Sequence, residues 1–192
     1  MYSYMKKKYN KGEFLYLSHK KKSETIKTLV YFGISAAIFI MGYLSTHTKA
    51  NYLTIVAVLG CLPASKSAVS MIMNLKVKGC SDKLHKEIKD RFGENTGFYN
   101  LYFTTYDKNY EIAHLFVKEM TVIGYTEKTD MDENKFEEHL KTVLLHDAIK
   151  GVNVKLYKNM DKYLERISQM QSLENEISKE ESITKTLFSV SL

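Results

Sequence analysis

Residues 28–48 read TLVYFGISAAIFIMGYLSTHT, twenty-one residues without a charge between Lys27 and Lys49. A helix rises about 1.5 Å per residue, so about 20 apolar residues cross a hydrocarbon core about 30 Å thick. The run therefore has the length of a membrane span. A second uncharged run, Ala50 to Ser65, follows at once and carries Leu53, Ile55, Val56, Val58, Leu59 and Leu62. After Lys66 the apolar character resumes with Val69, Met71, Ile72, Met73 and Leu75. The joining stretch Thr46–Asn51 is short and polar, with Tyr43 and Tyr52 flanking it as interfacial aromatic residues do. The pattern predicts a transmembrane helical hairpin over 28–75, with spans at about 28–46 and 52–68 and a juxtamembrane helix to 75.

Two blander readings compete. A cleaved signal peptide would have a shorter apolar run, about 7–15 residues, and would not start after 27 polar residues. A buried hairpin in a soluble protein would need more surrounding chain than this sequence offers to cover two uncharged helices. Orientation follows from the lysines. Residues 1–27 carry eight of them, the segment from Lys66 to Arg91 carries six more with that arginine, and the turn holds only Lys49. Positive charge stays on the cytoplasmic side, which predicts a multi-pass protein of the cell membrane with both termini cytoplasmic. The first partner implied is the lipid bilayer. Lys20, Lys21, Lys22, Tyr43, Tyr52 and Lys66 are the expected membrane-interface residues. Pro63 is expected to kink or end the second span. Lys66, with Ser65 and Ser67 beside it, has the alternative reading of an intramembrane site residue. Gly33, Ser35, Ala36, Ala37, Gly42 and Gly60 are small enough to let helices approach closely, and they allow oligomers through the spans.

The whole chain has 192 residues, one proline and two cysteines, which bounds it to one ordinary domain or a small domain plus an anchor. Charge divides it. Through Arg91 there are 16 Lys/Arg against 5 Asp/Glu, and from Phe92 there are 12 against 17. The acidic back half argues against broad nucleic-acid binding, whose surfaces are basic. The lysine runs Lys6–Lys8 and Lys20–Lys22, with Tyr2, Tyr4, Tyr9, Phe14 and Tyr16 among them, are explained by topology and anionic lipid. Cys61 and Cys80 fall in a span and in a cytoplasmic segment, so no disulfide is expected.

Beyond the hairpin the pattern predicts a cytoplasmic α/β (α+β) domain over 79–192, with residues 1–27 as a separate basic segment. Ser81-Asp82 caps a helix with Leu84, Ile88 and Phe92 on one face, closed by Gly93. Phe98–Tyr106 alternates, with Tyr99, Leu101 and Phe103 expected on one side. Asp107-Lys108-Asn109 turns into Tyr110–Val117, and Lys118-Glu119 turns into Met120–Thr126. These last two strands are apolar on both faces, as central strands are. A helix follows, capped within Asp130–Asn134 and buried through Phe136, Leu140, Val143 and Leu144. Val152–Tyr157 is a fourth strand. A long helix over 159–178, marked by Met160, Tyr163, Leu164, Ile167, Met170, Leu173 and Ile177, packs on the sheet or pairs two copies as a coiled coil. The tail Thr184–Leu192 alternates and is expected to be a last strand or a docking segment. The order is α-β-β-β-α-β-α.

That order resembles restriction-endonuclease-like folds over roughly Ser81 to Leu173, where a helix precedes a three-strand meander and a crossover helix leads to a fourth strand. The resemblance implies a metal held by an acidic residue of the second strand and a Glu-x-Lys on the third. Here the second strand offers Glu111 at its start, and Glu127 and Lys128 stand adjacent after the third, so the motif itself is absent. Glu111, Glu127 and Lys128 are the catalytic candidates of a divergent, membrane-tethered phosphodiesterase. The stretch Leu53–Ala68 and Val122-Ile123-Gly124-Tyr125 also resemble uncharacterised two-span bacterial proteins, some labelled glycosyltransferase-like. Asp130-Met131-Asp132 matches the metal-binding Asp-x-Asp of such transferases, but helix capping explains it. Among the six histidines, His114, His139 and His146 are the most favourable metal set, yet nothing in their spacing brings them together. No phosphate loop, Cys-x-x-Cys or Gly-x-Ser-x-Gly occurs. The expectation is a membrane-anchored binding or scaffold module with no cofactor and no metal. Its partner would be a cytoplasmic protein, a small ligand or a second copy. A small oligomeric pore or sensor, motivated by Lys66, is the further alternative.

Overall fold

A computed structural model describes residues 9–49, 51–105, 108–172 and 177–191, with the side chains of 177 and 178 excepted. Tyr2, Tyr4, Lys6–Lys8, the turn residue Asp107, Leu173 and Leu192 lie outside the described residues. The chain forms two compact units. One comprises residues 17–78; the other joins residues 9–16 to residues 79–191.

The first unit is a helical hairpin. Helix α1 spans Tyr16–Thr46 and α2 spans Tyr52–Lys76, and both are long and apolar enough to cross a membrane. Asn51 caps α2 by accepting the Thr54 N–H at 2.8 Å. The two helices meet through small and hydroxyl side chains seven residues apart on α1. Thr28 Oγ1 lies 3.0 Å from Ser67 Oγ. A Cβ added at Gly60 would come within 2.7 Å of Ser35 Oγ, and one at Gly42 within 2.7 Å of Leu53 Cβ. The pairs 28/67, 35/60 and 42/53 define one antiparallel register in which each side chain faces a partner too small to hold the helices apart. Gly33, Ala36 and Ala37 face outward instead. So do the large apolar residues: Leu29, Leu44 and Leu62 are 68%, 64% and 67% exposed. A soluble hairpin buries such side chains. This one puts its hydroxyls inside and its leucines outside.

Helix α2 runs unbroken through Pro63 to Lys76, so no separate juxtamembrane helix follows the expected span end at 68, and the expected break at the proline is absent. Helix α1 likewise starts twelve residues before Thr28, taking Lys20, Lys21, Lys22 and Lys27 into the helix. Lysine and serine favour helix well enough to extend it once tertiary contacts exist, here Lys21 Nζ on the Val77 carbonyl.

The second unit has three layers. A four-stranded sheet, β1 (Phe98–Thr104), β2 (Asn109–Lys118), β3 (Thr121–Tyr125) and β4 (Asn153–Tyr157), is ordered β1-β2-β3-β4. The first three strands are antiparallel and β4 joins parallel to β3. Helices α4 (Glu133–His146) and α6 (Ile177–Val190) cover one face, with Phe136, Leu140, Leu144, Ile183 and Leu187 buried there. Helices α3 (Asp82–Phe92) and α5 (Met160–Gln171) cover the other, with Leu84, Ile88, Tyr163, Leu164 and Ile167. The central strands β2 and β3 are buried on both sides, which their doubly apolar sequence required.

Four expectations change. First, β1 does not keep one face. Asn100 sits at φ +59°, a left-handed conformation that asparagine tolerates better than most residues. The side chains change sides there, so Tyr99 faces α3 and α5 while Leu101 and Phe103 face α4 and α6. Strand β2 changes sides in step: Ile112 and Leu115, three apart, share one face. Second, the helix expected over 159–178 ends at Gln171, with Ser172 as its C-cap, so a continuous coiled-coil stripe is lost. Third, the tail is helical to Val190. The apparent alternation of Phe188 and Val190 is one edge of a helix whose buried stripe is Ile183 and Leu187, and only Ser191 bridges to Phe103. Fourth, the basic start is no separate segment. Residues 9–16 are built into the α/β unit, which the hairpin therefore interrupts in sequence. Gly12 O accepts from Tyr99 N at 2.7 Å, Phe14 stacks on His85 at 3.9 Å between ring centres, and Lys11 Nζ donates to Phe188 O at 2.7 Å. That lysine satisfies carbonyls at the C-terminal end of α6, which no intrahelical N–H can reach.

Candidate functional site

Glu111, Glu127 and Lys128 do come together, although the sequence places them on two elements. The β2–β3 pairing carries the end of β3 back alongside the start of β2, and the chain leaves β3 through Thr126, whose hydroxyl donates to Glu111 O at 2.9 Å. Glu111 is only 6% exposed. Its Oε2 is 2.9 Å from Lys128 Nζ, and that contact raises the lysine's pKa above its ordinary value. Its Oε1 accepts the Gly79 N–H at 2.7 Å.

Two more side chains, Asn100 and the candidate Glu127, act on the same segment. Asn100 Oδ1 accepts the Cys80 N–H at 2.6 Å, and its Nδ2 donates to Phe14 O at 2.8 Å. Glu127 Oε1 accepts from the Ser81 hydroxyl and, at 3.3 Å, from the Ser81 N–H. Three side chains from three places in the chain thus capture three successive backbone N–H groups, Gly79, Cys80 and Ser81. These precede α3, whose first turn is capped by Ser81 Oγ accepting the Leu84 N–H at 3.3 Å. A buried backbone N–H without a partner is costly, and a charged acceptor makes the stronger bond. The arrangement fixes where the chain enters the domain. It leaves Glu111 with a cation and an amide already on its two oxygens, which is a poor start for a metal ligand. Asn100 was missed at the sequence level. Its one available signal was a polar residue inside an otherwise apolar strand.

The histidines are dispersed. His114 is fully buried between β2 and α5, with Nδ1 2.6 Å from Tyr163 Oη and Nε2 2.7 Å from Thr96 O. A carbonyl only accepts, so Nε2 carries the proton and Nδ1 accepts from the tyrosine hydroxyl. Burial drives the ring's pKa from 6.5 down to about 4, and burial likewise raises the Tyr163 phenol well above 10. Both groups are therefore neutral, which suits a polar pair inside an apolar layer. Gly97, at φ +73°, makes room for this: a Cβ there would lie 2.5 Å from Leu115 O and 2.6 Å from the His114 ring. His139 lies on α4, on the opposite side of the sheet, stacked 6.2 Å from Tyr110, and His146 is exposed. His114, His139 and His146 do not assemble, and among the described residues no three His, Cys, Asp or Glu side chains converge on a metal position. Asp132 accepts the Lys135 N–H as the N-cap of α4, the capping role expected of the Asp-x-Asp stretch.

Cys61 and Cys80 are free thiols. Burial, and then the nearby Glu127 carboxylate, push Cys80 up to about 12, so it stays protonated and unreactive at neutral pH. Among the described residues, two open grooves stand out, of about 440 and 780 Å³. The first lies beside Tyr110 and His139, the second beside Phe14, His85 and Tyr99. Neither includes Glu111, Glu127 or Lys128. Tyr43 and Tyr52 are exposed at the turn end of the hairpin, on opposite helices at one level of its register, and Lys66 is exposed on α2. Lys20 is half-buried, Lys22 is exposed, and Lys21 is engaged with Val77.

Comparison with known proteins adds no relative: no family model matches the chain, and neither a curated protein nor a solved structure is significantly similar to it.

Proposed function

We propose that this is a two-span membrane protein that holds its α/β domain at the cytoplasmic face as a binding or scaffold module. One observation carries the reading: residues 9–16 belong to the same folded unit as residues 79–191, while both apolar helices lie between them. A cleaved leader ending in α1 would remove Gly12 and Phe14, which the sheet and α3 use. A single crossing would split one domain across two compartments. Only an even number of crossings keeps Tyr16 and Gly79 on one side, and the hairpin supplies two. The hairpin's exterior of leucine and phenylalanine, around an interior of Thr28, Ser35 and Ser67, supports the same reading. Lysine placement then selects the cytoplasmic side.

A non-catalytic role is supported by Glu111 and Glu127, whose carboxylates hold Gly79 and Ser81, and by Lys128, whose ammonium is engaged with Glu111. For a phosphodiesterase they would have to release that segment to take up a metal. Two measurements test the proposal. Single cysteines at Thr48 and Ser172, in a Cys61→Ala, Cys80→Ala background, are exposed to an impermeant maleimide in intact cells. Labelling at 48 and not at 172 is expected; labelling at 172 would overturn the orientation. Titration of the full chain in detergent with Mg²⁺ and Mn²⁺ should leave thermal stability unchanged, since a ligand bound only by the native state would raise it.

A further inference from the structure

Helix α1 has 31 residues, a length of about 46 Å, which exceeds a hydrocarbon core of about 30 Å. The charged residues of the helix all fall at one end, between Lys20 and Lys27. The register through 28/67, 35/60 and 42/53 sets residues 16–27 of α1 beside residues 68–76 of α2 and puts Lys66 at the level of Leu29. This paired stalk presents two outward chemistries over about 15 Å of its length. Ile26, Val69, Ile72 and Leu75 are 61%, 57%, 49% and 54% exposed. Lys22, Lys66 and Lys76 are exposed among them. Water would leave the apolar side chains unburied, and hydrocarbon would strand the ammonium groups. Lys22, Lys66 and Lys76 face outward on a stretch rich in lysine and poor in acid. Residues 16–27 and 66–76 hold six lysines and one acid, Glu24, which is spent on Lys27 at 2.9 Å.

We propose that this stalk is a docking surface for anionic phospholipid, whose headgroup phosphates meet Lys22, Lys66 and Lys76, with Lys66 reaching outward from the level of Leu29 and Lys76 back toward it, while its upper acyl carbons cover Ile26 and Val69. The inference rests on the membrane reading above and adds a lipid class to it. Charge complementarity identifies the occupant: an anionic leaflet attracts lysines near its surface, and their long stems reach from an apolar face to the phosphate level. A zwitterionic lipid offers the same phosphate with its charge cancelled.

The test is lipid selectivity at the protein surface. The full chain is reconstituted in phosphatidylcholine vesicles with trace spin-labelled phosphatidylglycerol or spin-labelled phosphatidylcholine, and the motionally restricted fraction of each gives a relative association constant. A several-fold preference for phosphatidylglycerol is expected, falling with added salt. Lys22→Gln, Lys66→Gln and Lys76→Gln should each lower it, and the triple variant should bring the ratio to about one. These side chains are exposed, so the variants keep the hairpin packing. Equal association of both lipids with the native chain, with a restricted component present, overturns the lipid-class inference alone. No restricted component for either lipid overturns the membrane reading itself.

Discussion

Acidification from neutrality toward pH 4 should weaken the α/β domain through one ring, His114. In the folded chain its pKa lies at about 4 because burial excludes the charged form; in the unfolded chain it returns to 6.5. Between those values the unfolded state binds a proton that the folded state refuses. Stability therefore rises with pH across that window, is complete above 6.5, and is lost progressively as pH falls toward 4. A pKa unit corresponds to about 1.4 kcal/mol, so the loss amounts to roughly 3 kcal/mol, with a slope no steeper than about 1.4 kcal/mol per pH unit. His85 and His139 are also lowered by burial and contribute in the same direction, so the total slope is not the test. The test is the difference between the native chain and His114→Gln, whose amide can donate to Thr96 O and accept from Tyr163 without titrating. Urea unfolding in a mild detergent, followed by near-ultraviolet tyrosine dichroism, gives stability at each pH. The two curves should converge by roughly 3 kcal/mol between pH 6.5 and about 4. Ring ¹⁵N shifts give an independent check: Nε2 protonated and Nδ1 bare throughout. A ring that titrates near 6.5 in the folded chain, or carries its proton on Nδ1, would refute the derivation.

Three further outcomes follow from the packing. Deleting residues 1–16 should leave residues 79–192 unfolded by dichroism and amide dispersion, because Gly12, Phe14 and Lys11 are lost from the sheet edge, the His85 stack and the end of α6; residues 9–16 rejoined to 79–192 by a long Gly/Ser linker should fold. Asn100→Ala should cost about 2–4 kcal/mol in the same urea assay, combining a left-handed alanine with two lost hydrogen bonds, one of which leaves Cys80 N–H unpaired; Asn100→Gly should recover only the backbone part. Cysteines at Thr28 and Ser67 should cross-link under mild oxidation in the Cys61→Ala, Cys80→Ala background, whereas cysteines at the outward Ile34 and Leu62 should not, and Gly42→Val should abolish the first cross-link by driving α1 away from Leu53.

The hairpin was legible because its signal is one-dimensional. Twenty-one uncharged residues, a polar turn and a second apolar run need no partner to be recognised. Caps were legible for the same reason: Ser81, Asp132 and Asn159 each act on an N–H three residues ahead. The two central strands declared themselves by being apolar on both faces. What failed in the sequence depended on distant contacts. The alternation of β1 broke at Asn100 because a left-handed asparagine is held there by Phe14 and Cys80, 86 and 20 residues away in sequence. The tail looked like a strand because residues two apart were apolar, and only the packing of Ile183 and Leu187 against α4 and the sheet selected the helical period.

Sequence alone therefore determined two apolar helices, a four-stranded α/β domain and most helix starts, since these depend on residue type and local spacing. Tertiary structure alone decided that residues 9–16 belong to that domain, that Glu111, Glu127 and Lys128 share a task, and that His114 is a neutral core residue. Each of those is a meeting of groups tens of residues apart. Burial and hydrogen-bond geometry set its chemistry, and neither is written in the order of the residues.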